Sequence, residues 1–170
     1  GSAGSQGTCR MIRLLPVATA VVIGVLGSSV MAAAPILGVA SVIDGDTIEI
    51  HGERIRLDAI DAPESRQLCF HTDGTSWRCG QKSALALADL IGRSTIHCEP
   101  RGHDRYQRII AICFRNGIKI NAWMVEQGWA VAFRKYGLDY VAQEDTARRS
   151  RRGLWVGTFE MPWDWRASNR

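Results

Sequence analysis

The sequence predicts an α+β fold dominated by β structure, a small barrel of five strands with three α-helices packed on it. Two observations carry that expectation. Short β-rich runs broken by turn signals fill Ile36 to Ile60 and return after Thr95, while the stretches between and beyond them change to helical spacing. Residues 35–170 hold no internal repeat or low-complexity tract, and their length suits one domain around one core.

The elements follow in order. Leu37 to Ile43, Thr47 to Ile50 and Arg54 to Leu57 are separated by Asp44-Gly45-Asp46 and His51-Gly52, which is hairpin chemistry, so three antiparallel strands in meander order are expected. From Gly80 to Ile91 the period changes: Ala84, Leu87, Ala88 and Ile91 form one helical stripe, and Gly92 is placed to stop it. Thr95 to Glu99 and Arg108 to Phe114 return to strand character, and Asn116-Gly117 turns the chain into a short strand, Ile118 to Ile120. Asn121 is positioned to cap a helix through Gln127 that Gly128 ends. A last helix is expected from Leu138 to Ser150, with Leu138, Val141, Ala142 and Asp145 on one side and Glu144 and Arg148 as an i,i+4 pair. The tail Phe159 to Arg166, with Trp163 and Trp165, is expected to cover the barrel.

The N-terminal part differs in composition. Gly1 to Thr8 reads as a linker or an upstream extension, and Met11 is the better initiator. Arg10 and Arg13 flank Met11, and the uncharged run Leu14 to Ala40 passes from apolar residues to small ones around Ala32, the layout of an export signal. Cleavage after Ala32 or Ala33 is favoured over cleavage after Ala34, because Pro35 would then follow the cut. The run also exceeds the roughly 20 residues that span a bilayer, so an uncleaved anchor stays open. Residues 1–34 are therefore set apart from the folding domain 35–170, which either reading places outside the cytoplasm, periplasmic, secreted, or held at the outer face of the inner membrane.

Without residues 1–34 the formal charge falls from +4 to +2, so only moderate, salt-sensitive affinity for nucleic acid follows from charge alone. Its distribution says more: acids crowd Asp44 to Glu64, and Arg148, Arg149, Arg151 and Arg152 form a late basic run. With Cys9 set aside, Cys69, Cys79, Cys98 and Cys113 remain, an even number in an exported domain, and disulfides Cys69–Cys79 and Cys98–Cys113 are the preferred pairing. Zinc is the competing reading, disfavoured because no Cys-x-x-Cys or His-x-x-x-His spacing occurs.

Asp44-Gly45-Asp46-Thr47 alone is a hairpin turn. Arg56-Leu57-Asp58-Ala59-Ile60-Asp61-Ala62-Pro63-Glu64 directly after it changes the picture by gathering more acids around an arginine. Carboxylates brought together repel unless a cation lies among them, and oxygen-only donors suit a hard ion such as Ca²⁺ or Mg²⁺. Arginines beside such a site have a natural target in a phosphodiester, whose oxygens both ligate metal and accept bidentate guanidinium bonds.

These segments, with Val42-Ile43 before them, Asp104-Arg105-Tyr106-Gln107-Arg108, Gln127-Gly128-Trp129-Ala130 and Gly153-Leu154-Trp155 in that order, resemble the thermonuclease, or staphylococcal-nuclease-like, family of secreted calcium-dependent nucleases. The similarity runs from about Ile36 to Trp155. It implies an OB-like five-stranded barrel with three helices. It also implies that Asp46 and Asp61 are carboxylate calcium ligands, with Ala62, where the family usually has Thr, ligating through its backbone carbonyl. Glu64 matches the general base that orients the attacking water, and Arg56 and Arg108 match the two arginines that hold the phosphate. Asp44 and Thr47 are expected to support the turn and the ligands, Arg105 and Tyr106 to contact the terminal nucleotide, and Phe133 or Tyr136 to stack on a base.

Two departures stand out: Gln107 replaces a common Gly, and the Cys69 to Cys79 loop replaces a lysine-rich one. The function implied is a Ca²⁺-dependent endonuclease acting on DNA and RNA, preferring single-stranded or frayed regions, leaving 3′-phosphate ends, and working as a monomer. The alternative is a catalytically silent barrel that only binds nucleic acid.

Overall fold

The strands before α1 are short because turns such as Asp44-Gly45 and His51-Gly52 interrupt them within a few residues, and the sheet closes by bending one segment rather than by adding strands. The computed structural model describes residues 1–4, 7 and 33–169, and the export segment read in residues 11–32 lies outside them. Strand β1 (Ile36–Val39) and β2 (Ser41–Asp44) are two halves of one extended segment broken at Ala40. Strands β3 (Thr47–Ile50) and β4 (Glu53–Leu57) continue the meander, joined by a His51-Gly52 turn with left-handed backbone at both residues, and β5 (Ile60–Asp61) follows. A small hairpin, β6 (Cys69–Phe70) and β7 (Ser76–Trp77), leads into helix α1 (Cys79–Ile91). Strands β8 (Thr95–His103) and β9 (Ile109–Arg115) form the long hairpin, and β10 (Ile118–Lys119) folds back on β9. Then come α2 (Ile120–Glu126), β11 (Val131–Ala132), α3 (Val141–Arg149), a single 3₁₀ turn at Gly153–Val156 and α4 (Pro162–Ser168).

The main sheet runs β1-β8-β9-β4-β3-β2. Its two ends are the halves of the bent β1–β2 segment, which pairs Ile36 with Cys98 on one side and Val42 with Ile48 on the other. Counted once, that segment gives the five strands expected of an OB-like barrel. The parallel pair β4–β9 is the joint between the meander and the long hairpin.

Period-two alternation sets the two faces of β4. Ile55 and Leu57 are fully buried in the core with Ile48, Ile50, Ile96, Leu87 and Ile91, each such side chain worth about 1.5–3 kcal/mol of burial, while Arg56 between them points to the other side. Helix α1 buries Cys79, Gly80, Ser83, Leu87, Leu90 and Ile91, a face rotated from the expected stripe because Gly80 and Ser83 press against the acidic segment, and Ala84 and Ala88 end half-buried on its flank.

Both preferred disulfides are present. Cys98–Cys113 joins directly opposed residues of β8 and β9, and Cys69–Cys79 ties the small hairpin to the start of α1. With all four sulfurs paired, zinc has no thiolate here.

Three expectations need correction. Asn121 caps nothing: α2 begins at Ile120, and the fully buried Asn121 side chain instead accepts from the Cys113 N–H (3.0 Å) and donates to the carbonyls of Asp58 (3.1 Å) and Ala111 (3.2 Å). Helix α3 starts at Val141, leaves Leu138 72% exposed and turns Glu144 and Ala147 inward. The cause is polar: Glu144, fully buried, accepts from the Ala132 N–H at 2.8 Å and from Arg134 and Arg148, so the expected i,i+4 pair exists but its acid serves the β11 backbone. Finally, the α-helices among the described residues number four. The tail folds into α4, with Pro162 in its first turn, where the missing N–H costs nothing. It does cover the barrel as expected, through a second apolar cluster in which Phe159, Met161 and Trp163 pack with Cys69, Cys79, Val131 and Leu154.

Because the Asn121 amide binds the Cys113 N–H and the Asp58 carbonyl and adds a second donor to the Ala111 carbonyl, Asn121→Ala should lower the unfolding free energy by about 2–4 kcal/mol, measured by urea titration. A loss under about 0.5 kcal/mol, the range of ordinary surface substitutions, would contradict this bracing role.

Candidate active site

The acidic segment is folded by its own hydrogen bonds before any partner is considered. Asp44 Oδ1 accepts from the Asp46 N–H at 3.0 Å, a local turn that aims the Asp46 side chain inward. Gly45 between them has no room for a side chain: a Cβ would lie 2.0 Å from Ser83 Oγ and 2.7 Å from Ala62 Cβ, so the turn is pressed onto α1 and the segment after β5. Asp46 is almost wholly buried, and both its oxygens are occupied. Oδ1 accepts from Arg56 (2.6 Å) and the Thr47 hydroxyl (3.1 Å), and Oδ2 accepts from the Ala62 N–H (2.8 Å).

Arg56 reaches Asp46 because sheet register puts it opposite Thr47 on β3. Its second nitrogen donates to Asp61 Oδ1 at 2.8 Å, so one guanidinium bridges two carboxylates. Asp61 is completely buried on β5, held in place by antiparallel pairing with Val131 of β11.

Glu64 lies three residues on, half-exposed at the rim. Its N–H donates to Gln67 Oε1 (3.2 Å), its carbonyl accepts from the Gln67 N–H (2.7 Å), and the Gln67 amide donates to the Glu160 carbonyl (2.7 Å). Gly80 of α1 lies so close that a Cβ there would sit 1.8 Å from the Glu64 carbonyl oxygen. A buried glutamine, a glycine contact and the Cys69–Cys79 bond thus fix the backbone from which the Glu64 carboxylate projects.

The remaining partner comes from α4. Arg166 donates to Asp61 at both oxygens (3.0 and 2.7 Å) and to Glu64 Oε1 at 2.8 Å. Three carboxylates are therefore strung on two guanidiniums: Arg56 bridges Asp46 and Asp61, and Arg166 bridges Asp61 and Glu64. Among the described residues no three His, Cys, Asp or Glu side chains close on one point, since the arginines stand between the acids.

Electrostatics follow from burial. The Asp46 carboxyl is pushed up to about 6 from 3.8, first because burial penalises its charge, with Arg56 pulling it down and Asp44 adding to the rise. Asp61 is also raised, again chiefly by burial, against the lowering effect of Arg166 and Arg56. Burial works against the charge of Arg56 too, yet Asp46 and Asp61 more than restore it and leave its pKa above the usual arginine value.

Direct bonds thus join Asp44, Asp46, Thr47, Arg56, Asp61 and Ala62, with Ala62 contributing its N–H to Asp46, and Arg166 links Glu64 to Asp61. Arg108 stands in a second group at the tip of the β8–β9 hairpin. Its Nε donates to Asp104 Oδ2 at 2.7 Å, and the faces of Tyr106 are approached by Arg105 at 4.7 Å and Arg108 at 5.7 Å. Burial would raise Asp104, but bonds from Arg108 and from the N–H groups of Arg108 and Tyr106 outweigh it and hold the carboxyl below its usual range. Gln107 has φ +63°, a left-handed backbone that explains why glycine is common at the position it occupies. Phe133 and Tyr136 meet edge to face at 4.9 Å, and the ring of Phe133 is stacked on Trp163 at 5.2 Å and 7°.

Residues 54–157 match the family model described as staphylococcal nuclease homologue. The chain belongs to that family. It is 41% identical over 163 residues to the succinoglycan biosynthesis protein ExoI of Rhizobium meliloti, covering 91% of this chain and 85% of that one. It is 36% identical over 150 residues to a micrococcal nuclease of Shigella flexneri (78% and 80% covered) and 32% identical over 140 residues to an uncharacterized endonuclease of Haemophilus influenzae (78% and 73%). Membership in a nuclease family supports hydrolytic nuclease activity for this chain. The donor set fits the hard divalent ion the family resemblance implies: every candidate ligand is an oxygen, and the site holds one more carboxylate than guanidinium.

Sequence reasoning missed Gln67 and Arg166. Pro162 followed by Trp-Asp-Trp-Arg carried a helix-start signal, but nothing in the sequence pairs Arg166 with an aspartate 105 positions away.

Two predictions follow from this geometry. A carboxyl with a higher pKa folded (about 6 for Asp46) than unfolded (3.8) holds its proton more tightly in the native state, so it lowers metal-free stability as pH rises through that window. In chelator, wild type should therefore lose unfolding free energy relative to Asp46→Asn between about pH 4 and about pH 6 in urea titrations; an invariant difference would refute the burial argument. At the hairpin tip, left-handed backbone costs a residue with a Cβ about 1–2 kcal/mol. Glycine returns roughly half of this as unfolded-chain entropy, so Gln107→Gly should stabilise by about 0.5–1 kcal/mol in the same assay.

Proposed function

We propose that the protein is an exported, calcium-dependent endonuclease that hydrolyses phosphodiester bonds of DNA and RNA with little sequence preference, leaving 3′-phosphate and 5′-hydroxyl ends. The observation that carries the reading is the buried Asp46–Arg56–Asp61 bridge with the braced Glu64 carboxylate beside it. Two disulfides and the Arg-flanked apolar N-terminal run support an oxidising compartment, periplasmic or extracellular.

In this reading Asp46, Asp61 and the Ala62 carbonyl hold Ca²⁺, which when bound supplies Lewis-acid polarisation of a phosphoryl oxygen. The Glu64 carboxylate orients a water toward phosphorus and takes its proton as the new P–O bond forms. As the P–O5′ bond breaks, the 5′ oxygen gains a proton and the phosphate stays on the 3′ side. Arg56, rigidly held, donates to the phosphate and stabilises charge growing on its equatorial oxygens. Arg108 does the same from the hairpin tip once the phosphate replaces Asp104 as its acceptor, and Arg105 and Tyr106 beside it contact the neighbouring nucleotide. The exposed Tyr106 ring, able to stack on an unpaired base, favours single-stranded or frayed substrate, and the enzyme acts as a monomer in this reading.

Digestion of heat-denatured DNA with Ca²⁺ or with excess chelator, using wild type and Glu64→Gln, tests this directly. Cleavage should vanish in chelator, and the variant should be slower by about 10²–10⁴. A folded wild type that binds but does not cut would favour a silent nucleic-acid-binding barrel instead.

A further inference from the structure

Helix α4 presents two side chains, Trp163 and Arg166, spaced i,i+3 and so on one helix face, to two different parts of the site. Arg166 places its nitrogens 2.7–3.0 Å from Asp61 and 2.8 Å from Glu64, where a divalent ion ligated by Asp61 would stand about 2.3–2.6 Å from the same oxygens. Asp61 Oδ1 already accepts two guanidinium bonds, and Oδ2 accepts a third. With Arg166 seated, the five side chains Asp46, Asp61, Glu64, Arg56 and Arg166 carry a formal charge of −1; adding a divalent ion makes it +1, and withdrawing Arg166 then restores zero. Trp163 meanwhile lies flat on Phe133, the ring otherwise offered to a base. The helix is only seven residues long with no side-chain N-cap bond, too short to persist without these contacts.

We propose that α4 is an autoinhibitory latch: Arg166 holds the cation's place between Asp61 and Glu64, Trp163 holds a base's place on Phe133, and calcium binds only as the helix withdraws. The inference rests on the calcium assignment proposed above. Two ligands that exclude each other from one carboxylate are negatively coupled, and the coupling is reciprocal. Removing the guanidinium strengthens calcium binding, and calcium loosens α4.

Calorimetric titration of the full chain with Ca²⁺ alone, for wild type, Arg166→Gln, Arg166→Lys and Asp61→Asn, tests the first half. Hydrogen exchange of the Pro162–Ser168 amides with and without Ca²⁺ tests the second. Arg166→Gln should bind at least about tenfold tighter than wild type, with Arg166→Lys between them. Calcium should speed exchange across α4 in wild type but not in Asp61→Asn. If Arg166→Gln fails to fold, the Lys variant and the wild-type exchange data still decide the matter. Equal or weaker binding by both Arg166 variants, or exchange in α4 unchanged by bound calcium, overturns the latch while leaving the ion assignment standing. Absence of calcium binding in wild type and both variants overturns the two together.

Discussion

Everything near the site depends on the Arg56 guanidinium bridging Asp46 and Asp61. Two carboxylates buried to this degree are unstable alone, since desolvation of each costs several kcal/mol and their charges repel. Arg56 offsets part of that cost with bonds of 2.6 and 2.8 Å, and the Thr47 hydroxyl and Ala62 N–H add to it. The compensation is incomplete, as the raised Asp46 and Asp61 pKa values show. Buried ion pairs of this kind add little net stability over apolar packing, so an acid pair kept at the centre of a small domain points to function.

The fold is arranged to hold that bridge rigid. Two strands and a turn deliver its members: the turn between β2 and β3 delivers Asp46, β4 delivers Arg56 and β5 delivers Asp61. Gly45 and Gly80 let α1 press against the backbone of both the Asp46 turn and Glu64, which makes the helix a common backing plate for ligand and base. The disulfides serve the periphery: Cys98–Cys113 stiffens the hairpin that carries Arg108, and Cys69–Cys79 stiffens the segment after Glu64. A domain of this size gains stability from such cross-links where its core alone is modest.

How much of this was legible in the sequence depended on range. Hairpin turns such as His51-Gly52 and Asn116-Gly117 read correctly because their chemistry is local, and the gathering of acids around Arg56 was legible because they fall within twenty residues. Asn121 was misread because a helix-start asparagine looks the same whether it caps or braces, and only the tertiary approach of Cys113, Asp58 and Ala111 decides between the two. Glu144 was read as a surface ion-pair partner, since nothing local shows that the Ala132 N–H of β11 would need a buried acceptor. Arg166 lies beyond the family match and is a long-range contact of the same kind. Pattern thus reported what neighbours determine, while packing settled the polar residues that serve distant backbone or distant charge.

The arginines at this site are held in different ways, and the difference orders what they can do. Arg56 is mostly buried and locked by two aspartates, so it is preorganised and loses almost no conformational freedom when a phosphate arrives. Arg108 is borrowed from Asp104 at the end of a two-stranded arm, next to an exposed Tyr106, so it changes acceptor without disturbing the barrel. Arg166 belongs to a seven-residue helix without a side-chain cap bond and touches both Asp61 and Glu64. Arg56, buried between two aspartates, is thus the fixed charge of the three. Those that answer to substrate or ion sit on elements able to move, and the same buried acids serve a rest state and a working state without rearranging the core.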